Sequence, residues 1–445
     1  MASETIYSGL IATSTSLTQI NIFNGFITVE NGKIKQIGTT SELNQLRHSN
    51  RLNGYNIVQL HPGQFLMPGL VDCHTHAPQF PNIGLGLDRP LLEWLDKYTF
   101  PLEKKYSDTQ FAAEVYNKVV RRLLNNGTTT ACYFGSLSLE GTLELVQSVI
   151  AHRQRALVGK VSMNRHNDAG YYNTTETEIK EVEIFVRKVL EAKNDLVQPA
   201  ITPRFAVSCD EELMTYLSKI AQKYDCMIQS HISENKGEIQ YVLETNPDSQ
   251  SYSEVYDKSN ILNNKCIMAH AVHLSSQEMA LLSRRGVSVA HCAASNTRLM
   301  SGLCPLRRIL ASGINVGLGT DVSGGDSASI LDAMRRAMDV SQHLQLQGQA
   351  DAAISWREAF YLATLGGAKA LSLADKIGSF EVGKEFDALL INVYKDGGPI
   401  DCHDYSVDTT ETEVGESMLQ KFIYLGDDRN IEKVYIKGVE VKHSL

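Results

Sequence analysis

The sequence predicts an α/β protein, a (β/α)8 TIM-like barrel with a small flanking β-sandwich domain built from both termini. Two observations predict this fold. The middle of the chain repeats a unit in which an apolar strand ends in polar residues and a helical pattern follows, and eight such units fit a barrel. Both ends of the chain instead contain short β segments joined by tight turns. With 445 residues and 43% hydrophobic content, the chain can form both cores. We expect residues 1–66 and 379–445 to form the β-sandwich domain, and residues 67–378 to form the barrel.

The two ends of the chain share the sequence pattern of short β-strands joined by tight turns. The Glu30–Asn31–Gly32 turn lies between two apolar runs, and Asn–Gly in that position is a strong hairpin signal. Near the other end, Gly426–Asp428 and Lys437–Gly438 are typical of turns. The sequence predicts β segments at Ile20–Phe23, Gly25–Glu30, Lys33–Ile37 and Tyr55–Leu60, and within the regions Phe386–Val393 and Lys421–His443.

Eight apolar segments are interpreted as the barrel strands. Apolar residues at helical spacing, such as Val115, Val119 and Leu123, indicate the helices between them. Asp210, with two glutamates directly after it, is typical of a helix start. A doubly wound open sheet is the alternative, but no G-x-G-x-x-G turn follows any of these strands. The predicted strands are Phe65–Asp72, Thr128–Phe134, Ala156–Met163, Val197–Pro203, Met227–Ser230, Cys266–Ala269, Val287–Ala290 and Val316–Gly319.

The connection after the first predicted barrel strand is unusually long and runs from Ala77 to Thr109. Long insertions on the top face of a barrel are commonly lids or pocket walls. Trp94 and Tyr98 lie in this segment and either line a pocket or only pack the small core of the lid itself.

Composition limits the class of protein. The net charge of −9 and the lack of a dense Lys/Arg run argue against a nucleic-acid partner or an anionic membrane surface. No apolar stretch approaches the roughly 20 residues that a bilayer span requires, and no basic segment followed by an apolar one opens the chain. Eight scattered cysteines without a C-x-x-C pair are typical of core residues in a reducing compartment. We expect a cytoplasmic protein with a small-molecule partner and no nucleic-acid or membrane partner.

Two histidines, His74 and His76, follow the first predicted barrel strand. Side chains alternate along a strand, so both imidazoles should point to one side, where they could bind a divalent metal. A lone His-x-His pair is more often part of a core. Here, however, further polar residues follow other strands, and in a barrel all strand ends lie on one rim. These residues are Arg204 after the fourth strand, His231 after the fifth, His270 after the sixth and Asp321 after the eighth.

The residue types predict metal-dependent hydrolysis. Three imidazoles, from His74, His76 and His231, with the carboxylate of Asp321, would leave a position for water on a Zn²⁺-like ion. Such an ion lowers the pKa of its water to about 7, which gives a hydroxide nucleophile at neutral pH. The same donor set could hold Fe²⁺. Asp321 is also placed to accept the proton of that water.

Two further residues are candidates for catalysis. Glu234, three residues after His231, can reach the same pocket as a proton shuttle. Alternatively, it is a first-turn helix glutamate that the helix dipole favours. His270 would polarise the nucleophile or stabilise a developing oxyanion.

Several segments resemble the metal-binding motifs of the amidohydrolase superfamily, and of its deaminase branch. The similarity covers nearly the whole chain and is weakest at the ends. The metal motifs are Pro68–His76, Ser230–Glu234, Met268–His270 and Gly317–Asp321. Three longer segments are similar to those of the members that deaminate guanine: Leu91–Pro101, Thr202–Phe205 and Gly383–Asp387.

The resemblance implies hydrolysis of guanine to xanthine and ammonia by a cytoplasmic homodimer with one zinc per chain. It implies attack of a metal-bound hydroxide on C2, with Glu234 as the proton shuttle and the metal ligands named above. Guanine offers O6 and N7 as adjacent acceptors, to which an arginine can donate with two nitrogens. The substrate contacts that it implies are Gln79, Arg204, Phe205, His231, Glu234 and Asp321.

Alternatives remain open at this point. A related amidohydrolase could act on another aminopurine, a pterin or a cyclic amide. Two-metal members carry a carbamylated lysine at the end of the fourth strand, where this chain has Pro203–Arg204, and Lys160 within the third strand is the only substitute. One metal is therefore expected. Ala293–Ala294 departs from the more usual Pro-Asn and leaves the contacts of the seventh loop undecided. An inactive member would have lost ligand motifs that are all present here.

Overall fold

The computed structural model describes residues 4–49, 54–401 and 410–442. Cys402 and His443, which entered the predictions above, lie outside the described residues. The described strands form two separate sheets, one of eight strands and one of nine. In chain order the strands are β1 (Thr5–Ser14), β2 (Ile20–Glu30), β3 (Lys33–Thr39), β4 (Asn56–Gln59), β5 (Gln64–Pro68), β6 (Leu70–His76), β7 (Thr128–Phe134), β8 (Arg155–Gly159), β9 (Val161–Ser162), β10 (Val197–Pro203), β11 (Met227–Ile232), β12 (Cys266–His270), β13 (Ser288–His291), β14 (Val316–Leu318), β15 (Ala388–Asn392), β16 (Ile431–Ile436) and β17 (Val439–Glu440).

The nine-stranded sheet is the predicted barrel. Its strands are parallel and follow chain order from β6 to β14, with the short β9 beside β10. The two outer strands meet because the N–H of Asp321 donates to the carbonyl of His74 at 2.9 Å, just beyond the end of β14. The buried Asp72 carboxylate accepts the N–H of Thr320 at 3.0 Å and so joins the same two chain segments. The (β/α)8 fold predicted from the sequence is confirmed.

The segment Phe65–Asp72 is not the single barrel strand that the sequence predicted. It is divided between β5, which belongs to the other sheet, and β6, which is the first barrel strand. Gly69 separates them, and a Cβ at this position would lie 2.1 Å from Oγ1 of Thr129. The chain can therefore pass this close to β7 only with glycine.

Helices surround the barrel on its outer face. Val115, Val119 and Leu123 form the buried stripe of α4, as predicted, and the Asp210 carboxylate caps α7 by accepting the N–H of Leu213 at 2.8 Å. No helix among the described residues is both long and apolar enough to cross a bilayer. The α-helices are α1 (Thr40–His48), α2 (Leu91–Trp94), α3 (Phe100–Glu103), α4 (Thr109–Asn125), α5 (Leu139–Ala151), α6 (Thr175–Glu191), α7 (Glu211–Tyr224), α8 (Lys236–Thr245), α9 (Tyr252–Lys258), α10 (Ser276–Arg285), α11 (Ala293–Arg298), α12 (Leu306–Ala311), α13 (Ile330–Leu346), α14 (Trp356–Tyr361), α15 (Gly367–Ala370) and α16 (Glu411–Leu425).

The lid segment between β6 and α4 is helical throughout much of its length. Besides α2 and α3 it contains 3₁₀ turns at Ala77–Asn82 and Lys104–Ser107 and a π-helical turn at Leu95–Thr99. A further π-helical turn, Leu362–Gly366, lies between α14 and α15. Apolar lid residues, including Trp94, pack in one cluster with barrel residues such as Phe205. The lid is thus fixed to the top of the barrel.

The eight-stranded sheet is mixed and combines both ends of the chain in the order β17-β16-β15-β5-β1-β2-β3, with β4 beside β1. Asn31 and Gly32 form the predicted β2–β3 turn, both with positive φ. That turn meets the β16–β17 turn, since the N–H of Phe386 donates to Gly32 and the N–H of Gly438 donates to Phe386. The sheet therefore curls around its own apolar core, like the two layers of the predicted sandwich.

Two helices in this domain were not predicted. The α1 helix follows β3 and begins at a capping box formed by Thr39 and Glu42. The α16 helix begins at a second capping box, formed by Thr410 and Glu413. It includes the first residues of the region Lys421–His443, for which the sequence predicted only β segments. The seven cysteines among the described residues are all buried and unpaired, as expected of core residues.

Candidate metal centre and active site

Four predicted side chains converge above the strand ends of the barrel. The Nε2 atom of His76 lies 3.2 Å from Nε2 of His74 and 3.1 Å from Nε2 of His231. Oδ1 of Asp321 lies 3.2 Å from Nε2 of His74 and 3.4 Å from that of His76. All four side chains are buried. Three strands that are far apart in the chain thus direct four donor atoms to one point.

These spacings fit one cation held by all four side chains. Bonds of about 2.0–2.1 Å to nitrogen and oxygen place neighbouring ligand atoms roughly 3.3 Å apart around Zn²⁺. Nδ1 of His231 lies 2.6 Å from the carbonyl oxygen of Arg204, so Nδ1 carries the proton and donates it. The lone pair on Nε2 of His231 then faces the other donors. The set of three imidazoles and one carboxylate therefore suits a divalent ion that prefers nitrogen and oxygen ligands.

The protonation states also suit a metal. Burial lowers the pKa of His74, and it lowers the pKa values of His76 and His231 well below the ordinary range, so the rings are neutral. Burial alone would raise the pKa of Asp321, but its hydrogen bond to His74 and the neighbouring imidazoles hold that pKa below its ordinary value. Neutral imidazoles and an ionised carboxylate are the forms that bind metal.

His270 and Glu234 lie beside this group. Nε2 of His270 is 3.3 Å from Oε2 of Glu234 and 3.8 Å from Oδ2 of Asp321. Nδ1 of His270 is 2.8 Å from Oδ1 of Asn296 and donates its proton there, which directs Nε2 toward the carboxyl groups of Glu234 and Asp321. His270 also belongs to potential ligand groups with His74 and His231. It is therefore close enough to act on any atom that the four converging side chains hold.

The Glu234 carboxyl is favoured in its protonated form. Burial, and then the charges of Glu238 and Asp321, raise the pKa of Glu234 well above its ordinary value. Glu238 also fixes the loop, because its Oε2 accepts the N–H groups of Glu234 at 2.9 Å and Asn235 at 3.1 Å. Oε1 of Glu234 accepts a hydrogen bond from the hydroxyl of Ser301 at 3.2 Å. A buried neutral carboxyl at this position can donate a proton into the cavity.

The backbone is strained where these side chains are presented. Ser233, His270 and Asp321 have φ angles of 50°, 75° and 46°, in the left-handed region that non-glycine residues rarely adopt. Ala269 faces the barrel interior, so strict alternation would place His270 on the opposite side of β12. The left-handed backbone at His270 turns the imidazole toward the metal ligands instead. Strain of this kind is concentrated at functional sites.

A small cavity adjoins the converging side chains. The predicted Gln79, Arg204 and Phe205 line it. Among the lid residues Trp94 does so too, and the alternative that it packs only within the lid is therefore wrong. The cavity is lined by His76, Gln79, Leu91, Trp94, Leu95, Arg204, Phe205, His231, Glu234, His270, Leu299, Asp321 and Gly324.

Arg204 has a partner that the sequence analysis did not predict. Its Nη1 and Nη2 donate to Oε2 and Oε1 of Glu103 at 2.7 and 3.2 Å, and Nε2 of Gln79 donates to Oε1 of Glu103 at 3.0 Å. Glu103 ends α3 in the lid, 101 residues before Arg204. No motif marks it in the sequence, because it lies two residues beyond the segment Leu91–Pro101.

Other predicted alternatives do not reach the site. Nζ of Lys160 donates to both oxygens of Glu178, at 3.1 and 3.0 Å, and is fully buried against α6. Lys160 therefore cannot serve as a bridge between two metals. Cys73 packs in the barrel interior. Ala293 and Ala294 begin α11, and the same helix supplies Asn296, the partner of His270.

A parallel barrel that gathers three imidazoles and a carboxylate at its strand ends, next to a buried carboxyl and a cavity, has the architecture of a metal-dependent hydrolase. Comparison with known proteins agrees. The model of the amidohydrolase family matches residues 65–441. The chain therefore belongs to the amidohydrolase family.

Within this family the chain is similar to guanine deaminases. It is 48% identical to the guanine deaminase of Rattus norvegicus over 415 residues, which cover 93% of this chain and 90% of the rat protein. It is 42% identical to that of Dictyostelium discoideum, with 98% of each chain covered. The crystal structure of guanine deaminase from C. acetobutylicum with guanine bound in the active site has a TM-score of 0.89 and 36% identity, and covers 98% of this chain and 99% of that one.

Proposed function

We propose that this protein hydrolyses guanine to xanthine and ammonia, with one zinc ion per chain held by His74, His76, His231 and Asp321. The observation that carries the proposal is that one cavity joins the metal-binding side chains to a pair of purine-reading side chains, Arg204 and Gln79. The similarity to guanine deaminases over nearly the whole chain supports the choice of guanine.

The cavity suits the recognition of guanine. Arg204 presents only donors, and O6 and N7 of guanine are adjacent acceptors on one edge of the ring. The Gln79 amide can donate and accept along the same edge. Phe205 is 4% exposed and supplies an apolar surface for the flat purine. The ring is thereby oriented with its C2 amino group toward the metal-binding residues.

The reaction adds water to C2 and removes the amino group as ammonia. When bound, the cation supplies a water molecule whose pKa is lowered to about 7. Asp321 takes the proton that this water loses, since its Oδ2 is the oxygen farther from His74 and His76. Glu234 donates a proton to N3 as the oxygen adds. Asp321 passes the water proton to Glu234, which delivers it to the departing amine. Glu234 then takes the proton of the C2 hydroxyl as the carbonyl forms, and His270 stabilises the developing negative charge.

The substrate is tested by incubating the purified protein with guanine, adenine, cytosine, a pterin and a cyclic ureide, while ammonia release and bound metal are measured. The proposal expects ammonia from guanine far in excess of the other compounds. Preferential turnover of a pterin, another aminopurine or a cyclic amide would contradict it.

We also propose that the protein is a cytoplasmic homodimer. The buried, unpaired cysteines among the described residues support a reducing compartment. The dimer is suggested by the resemblance to guanine deaminases. Light scattering coupled to gel filtration tests it, and a monomeric mass across micromolar concentrations would contradict the dimer.

Replacing Arg204 with methionine should weaken guanine binding. Methionine fills a similar volume but donates no hydrogen bonds, so we expect the KM for guanine to rise about tenfold to hundredfold. Zinc should remain near one per chain because Arg204 is not a ligand. Arg307→Met is the matched control, since Arg307 also pairs with a carboxylate, that of Glu358, but does so outside the cavity. An unchanged kcat/KM for guanine in Arg204→Met would reject this role.

Replacing Gly324 with alanine should disturb the metal-binding carboxylate. The added Cβ would lie 2.5 Å from Oγ of Ser295 and 3.1 Å from Oδ2 of Asp321, so one of these groups has to move. A displacement near 1 Å at a reacting group costs about a hundredfold in rate, so we expect kcat to fall by about tenfold to a hundredfold. Steady-state kinetics with a zinc determination measure it. A variant with the parent kcat would show that this close contact has no functional consequence.

A further inference from the structure

The carboxylate of Glu103 connects the two polar side chains that read the purine edge. Its Oε1 accepts Nε2 of Gln79 at 3.0 Å and Nη2 of Arg204 at 3.2 Å, and its Oε2 accepts Nη1 of Arg204 at 2.7 Å. The Glu103 side chain is 0% exposed and that of Arg204 is 3% exposed. A buried ion pair of this kind is held firmly, because losing either partner leaves an uncompensated charge.

Glu103 fixes the orientation of the Gln79 amide. The Oε1 atom of Gln79 accepts the backbone N–H of Ser323 at 3.2 Å, while its Nε2 donates to Glu103. Rotating the amide by half a turn would place its oxygen against a carboxylate and its N–H₂ against an N–H donor. One orientation is therefore strongly favoured, and the pattern of donor and acceptor that Gln79 presents to the cavity is fixed.

Glu103 also fixes the guanidinium of Arg204. Two of its nitrogens point at the carboxylate, and the group lies over the ring of Phe100, 5.1 Å from the ring centroid. The remaining N–H groups can only donate. Because the guanidinium cannot rotate away from Glu103, a ring edge that meets it must offer acceptors rather than an amino group or a carbon-bound hydrogen.

We propose that Glu103 is a positioning residue that sets substrate specificity: by holding Gln79 and Arg204 together, it makes the cavity select purines with acceptors at both O6 and N7. This inference rests on the proposed function. The compounds that such a cavity rejects carry hydrogen or an amino group at C6. Polar groups that are fixed and desolvated discriminate strongly, since a ligand without the matching atom leaves them unpaired.

The test compares guanine with 2-aminopurine, which keeps the leaving amino group and N7 but lacks O6. In Glu103→Gln one carboxylate oxygen becomes an N–H₂ group that faces the donors of Arg204 or Gln79. We expect kcat/KM for guanine to fall about tenfold to hundredfold, mostly through KM, because a charge-assisted hydrogen bond is worth that factor. The kcat/KM for 2-aminopurine should change far less. The ratio of the two kcat/KM values should therefore fall by about tenfold or more.

A merely structural role would give a different result. If Glu103 only stabilised the lid, both substrates would lose the same factor, the ratio would stay constant and the inference would be overturned. Glu178→Gln is the matched control, since Glu178 also forms a fully buried ion pair, with Lys160, away from the cavity lining. We expect this control to lower the melting temperature without changing the ratio.

If Glu103→Gln does not fold, Glu103→Asp provides the same test. It keeps the negative charge, but its carboxylate is one methylene too short to meet both Gln79 and Arg204. The specificity ratio should then fall by a smaller factor than in Glu103→Gln, and an unchanged ratio would overturn the inference.

A binding measurement separates this inference from the proposed function. Calorimetry with hypoxanthine and with unsubstituted purine compares ligands that differ in O6 and that lack the amino group to be removed. The parent protein should prefer hypoxanthine, and Glu103→Gln should lose most of that preference. If the parent protein did not deaminate guanine but showed this loss, the proposed function would fail and the role of Glu103 would stand. If the parent protein deaminated guanine and Glu103→Gln kept the preference, the role of Glu103 would fail alone.

Discussion

Replacing His74 with alanine should remove both the bound zinc and the turnover of guanine. Nε2 of His74 lies within 3.2 Å of both Nε2 of His76 and Oδ1 of Asp321, so its loss opens one corner of the donor set. Two imidazoles and one carboxylate then remain, and a site with one protein ligand missing binds zinc much more weakly. Elemental analysis after gel filtration should find well below one zinc per chain, and the same sample should release no ammonia above background.

His291→Ala is the control for this variant. His291 is also a buried imidazole, near the end of β13, but it belongs to none of the potential ligand groups among the described residues. It should therefore keep its zinc, while circular dichroism should show that both variants are folded. Full zinc occupancy in a folded His74→Ala protein would overturn the assignment of His74 as a ligand.

Replacing Glu234 with glutamine should leave a folded, zinc-bound protein that is nearly inactive. Deamination at C2 requires one proton at N3 and another at the departing amine, whereas Asp321 can only receive the proton of the water and pass it on. Glu234 is buried, its pKa is raised well above the ordinary value, and its carboxyl lines the cavity. Glutamine keeps the shape and the hydrogen-bonding capacity of this side chain but has no proton to transfer.

The loss of general acid–base catalysis is worth about 10²- to 10⁴-fold in rate, or roughly 3 to 5 kcal/mol of barrier. We therefore expect kcat to fall by about a hundredfold or more while xanthine still binds. Glu278→Gln is the control, because Glu278 is a buried carboxylate that caps α10 and lies away from the cavity. Retention of most of the kcat in Glu234→Gln would assign the shuttle to His270 or Asp321. Loss of zinc would instead make Glu234 a structural support for the loop after His231.

The barrel could be predicted because its strands and helices obey simple local rules. Thr128–Phe134 and Val197–Pro203 combine apolar and β-branched residues, and they were predicted with the bounds that β7 and β10 have. Position 69 was harder to interpret, because an apolar run continues across it. Only the close approach of Gly69 to Thr129, a contact between distant segments, explains why one apolar run becomes two strands in two sheets.

The positions of the candidate metal ligands could be predicted because a closed parallel barrel brings all its strand ends to one rim. His74, His231 and Asp321 are far apart in the chain, yet each follows an apolar strand. His270 was predicted at the rim as well, although its orientation depends on a left-handed backbone that no sequence pattern indicated. The predicted strand ends were sufficient to place these residues at the rim but not to predict the orientation of each side chain.

The residues that sequence reasoning missed act through contacts between distant segments. Glu103 is an ordinary helix glutamate until the lid folds over the barrel and brings it to Arg204. Asn296 and Gly324 likewise become part of the site only through their neighbours, His270 and Asp321. Because each is a common residue type without a motif of its own, its role follows from the folded structure alone.

The most direct test of the central claim is a zinc titration of activity. Zinc is removed with a chelator and restored in steps, and ammonia release from guanine and bound zinc are measured on the same samples. We expect activity to rise in proportion to bound zinc and to reach its maximum at one zinc per chain. Guanine turnover that persists in the zinc-free protein, or that reaches its maximum only at two zinc ions per chain, would contradict it.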